Sequence, residues 1–93
     1  MNTDIATVYR VRADRVAWRS AGDEAVLLDL RQSVYFALDH CAALLWPHLV
    51  AGATVAELTA VLAGNAPVEP EQADADVRAF LADLESADLV DCR

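Results

Sequence analysis

The first half of the chain alternates like β-strands, and the second half repeats like helices. Val16-Ala17-Trp18-Arg19 alternates large apolar residues with small or polar ones, and Ala21-Gly22-Asp23-Glu24 is a turn cluster. From Glu24 to Leu30, Val26, Leu28 and Leu30 fall on one face and Ala25, Leu27 and Asp29 on the other. After a polar break at Arg31-Gln32, Ser33-Val34-Tyr35-Phe36-Ala37-Leu38 is β-branched and aromatic, with Val34, Phe36 and Leu38 on one face. Three short strands with short breaks predict an antiparallel meander. Residues 1–14 read as an N-terminal arm, extended through Val8, Tyr9 and Val11.

At Asp39, a good N-cap, the period changes. Ala42, Leu45, Trp46 and Leu49 fall at i, i+3, i+4, i+7, so they share a helical face. Pro47 sits inside this pattern, removes a backbone donor and predicts a kink or an early end; Gly52 is the stop. Thr54-Val55-Ala56-Glu57 is a capping box that opens a second helix, with Val55, Leu58, Val61 and Leu62 as its apolar stripe and Gly64 as its end. A loop over 65–70 leads to a third helix from Pro70-Glu71, whose face is Val77, Phe80, Leu81 and Leu84. Asp88 ends that helix before a short apolar tail, Leu89-Val90.

Strands come first and helices second, so the fold class is α+β rather than doubly wound. The expected architecture is of winged-helix type, a three-stranded antiparallel sheet followed by three helices, with the domain over 15–91.

Composition narrows the function. Ninety-three residues make one small domain whose stability is about 5 kcal/mol, and 56% hydrophobic content is enough for a core. A binding module or subunit is a better prior than an enzyme with a supported cleft. Fifteen Asp and Glu face seven Arg and no Lys, a net charge of −8. That balance argues against nucleic-acid and anionic-membrane surfaces, and the lack of Lys removes Schiff-base and Walker-type chemistry. Five of the arginines lie in residues 1–31, where they balance five acids. No signal peptide or membrane span is read, so the expected location is cytoplasmic.

Few residues invite catalysis. His40 and His48 complete no metal-ligand spacing, and no CxxC joins Cys41 and Cys92. Cys41 reads as a small buried hydrophobe, and Trp18 and Trp46 read as core, Trp46 most clearly. The acids of the third helix lack the calcium-loop pattern and read as a solvated face. No enzyme, metal or cofactor reading gains support.

The strand Val34–Leu38 is different. It ends the meander, so it can lie at a sheet edge, and it carries no Lys, Pro or other blunting device. Such an edge is either covered by the chain's own helix or used to recruit a peptide by strand addition, and pattern alone leaves both open.

The ordered set of segments resembles the PqqD-like proteins. Ala25-Val26-Leu27-Leu28-Asp29-Leu30, then Val34-Tyr35-Phe36-Ala37-Leu38-Asp39, then Ala42-Ala43-Leu44-Leu45-Trp46 look like that family's core. Gly52–Leu58, Asp76–Leu81 and Ala87–Val90 continue the likeness, over about residues 12–91. These domains are RiPP recognition elements, and the form here looks most like the stand-alone subtype of lasso peptide clusters. The resemblance implies a non-catalytic protein, without a cofactor, that binds the leader segment of a ribosomally made precursor. It implies delivery of that leader to a leader peptidase and then a cyclase. It places the leader beside the third strand (Val34, Tyr35, Phe36, Ala37, Leu38) and against the third helix, at Asp74, Val77, Arg78 and Leu81. Arg78 then reads an acidic leader residue, or it simply pairs with Asp74 one turn away. The sequence departs from the family pattern at Pro47, and at Ser33 and Asp88, where glycine is usual.

Three rival readings remain at this stage. A PqqD-type peptide chaperone of another pathway shares the binding step. A winged-helix DNA-binding protein needs a basic recognition helix, and Thr54–Ala63 has no basic residue. An acyl-carrier-type protein needs an all-helical bundle, which the strands exclude.

Overall fold

The computed structural model describes residues 7–93. Of the N-terminal arm, residues 1–6 lie outside the described residues. In chain order the elements are β1 (Val8–Val11), β2 (Val16–Ala21), β3 (Glu24–Asp29), β4 (Val34–Leu38), α1 (His40–Ala51), β5 (Ala53–Thr54), α2 (Val55–Asn65), α3 (Pro70–Ser86) and β6 (Val90–Cys92). The fold is α+β. The meander is present as the antiparallel sheet β2-β3-β4, and a second small sheet has the order β5-β1-β6.

Register decides which face of the meander is the core. Leu27 stands opposite Phe36, and Ala25 opposite Leu38. Ala25, Leu27 and Asp29 are buried, so Val34, Phe36 and Leu38 point to the same inner side. Leu28 and Val26, equally apolar, take the outer face. Asp29 is buried because its carboxylate accepts the N–H groups of Arg31 (2.9 Å) and Gln32 (3.2 Å), which builds the β3–β4 turn. Ser33 closes that turn at φ +56°, and Asp88 sits at φ +62° after α3. These are the two departures from glycine, and both keep the left-handed backbone that glycine adopts most easily.

The helices start where the sequence predicts. Asp39 accepts the Ala42 N–H at 2.9 Å. Thr54 and Glu57 form the reciprocal capping box, at 3.1 and 2.8 Å. The early end expected at Pro47 does not occur: α1 runs on to Ala51, since its buried Leu45, Trp46 and Leu49 hold the helix on both sides of the proline. Gly52 then stops it at φ +99°. Trp46 is fully buried, and Trp18 packs edge-on against it with ring centroids 6.2 Å apart. Trp18 itself stays 41% exposed.

Candidate functional site

β4 pairs with β3 alone among the described residues, so its other edge carries unpaired backbone groups on alternate residues. Beside that edge lies a groove of about 280 Å³. Phe36, Ala37 and Leu38 form its strand wall, and Phe80, Asp83, Leu84 and Ala87 form its helix wall. The helix residues fall at i, i+3, i+4, i+7, which is one face of α3. The floor includes Leu27 and Leu89, both fully buried.

The strand residues singled out from the sequence are therefore placed at the edge. Tyr35, on the outer face, is 70% exposed, and Val34 is exposed at the turn end. The four residues singled out on α3 lie elsewhere. Val77 and Leu81 are buried in the core. Arg78 donates from Nε to Asp74 at 3.0 Å, and both lie on the flank of α3 turned away from the groove wall. Phe80, read from the sequence as part of the apolar face, packs against the core and also lines the groove, whereas sequence reasoning missed Asp83 and Ala87 as groove residues. The available signal was the second stripe, Phe80-Asp83-Leu84-Ala87, which runs alongside Val77-Leu81-Leu84.

The groove continues past the end of β4. A second hollow of about 420 Å³ shares Asp39, Ala42, Phe80 and Asp83 with the first and reaches Leu45 and Leu62. Cys41 lines it and is exposed, which corrects the expectation of a buried thiol: the first turn of α1 overhangs this hollow, and no element covers it.

Among the described residues no group of three His, Cys, Asp or Glu side chains could hold a metal ion. His40 and His48 are both exposed, on the surface of α1. Cys92 is a free thiol whose pKa is raised, by partial desolvation first and then by the neighbouring Glu85 and Asp91 carboxylates. Among the described residues, no helix is long and apolar enough to cross a membrane.

Charge concentrates at one other place. Asp88 faces three arginines, Arg15 at 2.7 Å, Arg12 at 3.5 Å and Arg31 at 3.6 Å. These tie the turns after β1, β3 and α3 together. Their job is structural: they join the two sheets across the end of the groove helix.

Comparison with known proteins bears on the family and the fold. The family model described as "Coenzyme PQQ synthesis protein D (PqqD)" matches residues 24–90. A solved structure of TbiB1 in complex with the TbiA(beta) leader peptide is similar at a TM-score of 0.79 and 28% identity, covering 88% of this chain and 94% of that one. A lasso peptide synthetase B1 complexed with the leader peptide is similar at a TM-score of 0.76 and 27% identity, covering 88% and 95%. No curated protein matches the sequence.

Proposed function

The chain belongs to the PqqD family, and from that premise we propose that it is a RiPP recognition element that binds a precursor's leader segment as an added strand on β4. The single observation that carries this reading is the β4 edge, unpaired among the described residues and facing an apolar groove. A folded protein ordinarily protects such an edge. Here backbone groups of β4 offer sequence-independent affinity, and the groove between Phe36, Leu38, Phe80 and Ala87 offers side-chain choice. Two similar solved proteins carry leader peptides, which supports the same ligand class here.

The protein acts by binding, in the cytoplasm, and brings the leader to a peptidase and a cyclase of a lasso peptide pathway. The family's description names a second pathway context, coenzyme synthesis, in which the reading is again of a peptide chaperone. Val34 to Leu38 with Phe80, Asp83, Leu84 and Ala87 form the peptide site. Val77 and Leu81 support it from beneath, and the Asp74–Arg78 pair lies off it.

A displayed library of random peptides, panned against the protein, tests the reading. Binders with an alternating apolar segment and micromolar affinity, about −8 kcal/mol, are expected. Failure to enrich any peptide, or enrichment indifferent to changes in β4, refutes it.

A further inference from the structure

Resting on the leader-binding reading, we propose that the hollow past the end of β4 is a subsite for a basic residue of the bound peptide, whose charge meets Asp83. The groove does not stop where the strand stops. Its continuation has an apolar floor of Leu45, Leu62 and Phe80, and three carboxylates on its rim: Asp39, Asp76 and Asp83. No arginine or histidine lines it. A lysine or arginine fits this combination, since its aliphatic stem covers apolar surface while its head stays at the wet rim. An acidic or apolar residue fits one half of the site and is opposed by the other.

Asp83 is the residue placed to read the charge. Asp39 is engaged in capping α1, accepting from Ala42 at 2.9 Å, and Asp76 accepts from Gln72 Nε2 at 2.8 Å. The Asp83 carboxylate has no hydrogen bond or ion pair among the described residues. It also lines both hollows, at the point where a strand added to β4 would pass Phe80. Asp76 and Asp83 flank Phe80 at i−4 and i+3, so all three share one face of α3. The chain's net charge of −8 strengthens the preference for a cation. A metal ion is the weaker occupant, because no three ligating side chains come together among the described residues. This inverts the sign expected from Arg78, which is paired with Asp74 off the groove.

The experiment is a charge-swap cycle on peptides selected from the random library. Enriched peptides should carry Lys or Arg at a fixed offset from their apolar segment. Replacing that residue by Gln should weaken binding about three- to tenfold by fluorescence polarisation. On the Asp83→Asn protein the same peptide change should cost nothing, because the pair's coupling is gone. Asp83 is exposed, so the variant folds, which circular dichroism checks. Binders without a preferred cation, or a penalty unchanged on Asp83→Asn, overturn the subsite and leave strand addition standing. A library that yields no binders overturns strand addition itself.

Discussion

The Asp88 carboxylate lies 2.7 Å from Arg15 Nη1, a bond across 73 residues that fastens the turn after α3 to the turn before β2. Asp88 also holds φ +62°, so one residue sets both the backbone turn and the ion cluster. Its pKa is lowered, chiefly by the hydrogen bond from Arg15, against partial desolvation, with the charges of Arg12 and Arg31 adding to the effect. A depressed folded-state pKa contributes stability that is present above the unfolded value and is lost as pH falls through the folded value. Asp88→Asn keeps the left-handed turn and removes the charge. It should melt below the parent at pH 7, and the gap should close as the pH drops below about 4. Thermal melts at several pH values, with salt reducing the gap at neutral pH, check this.

Proline at Tyr35 and at Phe36, placed singly, should give two different failures. In an antiparallel ladder neighbouring residues aim their N–H groups to opposite sides. One of the two therefore donates to β3 and the other donates outward from the β4 edge. The inward substitution should destabilise the fold, and the outward one should abolish peptide binding with the melting temperature nearly kept. Calorimetric titration beside a thermal melt separates them; two variants that both fold and both bind would end the strand-addition model.

Local signals in the sequence were legible, and long-range ones were not. The β4 strand, the Asp39 cap and the Thr54–Glu57 box depend on neighbours within a few residues, and all are present as read. The second sheet was not legible because β1, β5 and β6 have four, two and three residues, too short to show a period. Their pairing joins Tyr9 to Cys92 and Val8 to Thr54, distant in sequence. On α3 the apolar stripe runs from Val77 round to Ala87: Val77, Leu81 and Leu84 are buried, and Phe80 and Ala87 pack against the core while staying partly exposed. Periodicity identifies such a stripe but not which margin stays open: Val77 and Leu81 are buried, and Phe80 and Ala87 line the groove. Both faces of β3 are apolar, so its inward side is clear only from the burial of Ala25, Leu27 and Asp29.

Trp46 is the side chain on which the thin core depends most. It is fully buried, and its ring meets Trp18 edge-on at 75°. Truncating a buried tryptophan to alanine costs about 3–5 kcal/mol, on the scale of the whole stability of a domain this small. Trp46→Ala should therefore be largely unfolded at 37 °C by far-ultraviolet circular dichroism. Trp18→Ala, which loses a half-exposed ring and the edge contact, should cost about 1–2 kcal/mol in urea titration. Equal losses at the two positions would show that the shared contact, not burial, dominates.

Filling the groove from the helix side should block binding without touching β4. Ala87 lines the groove wall and is only partly buried, so a larger side chain there can extend over Phe36 and Leu38 instead of into the core. Ala87→Trp should abolish binding of the library-selected peptides and move the melting temperature by no more than about 4 °C. Ala82→Trp is the matched control: Ala82 is exposed and, by helix geometry, lies on the far side of α3 from Leu84. It should bind as the parent does. If Ala87→Trp binds with unchanged affinity, the peptide does not pass between β4 and α3, and the ligand must be held by the strand edge alone or at some other surface.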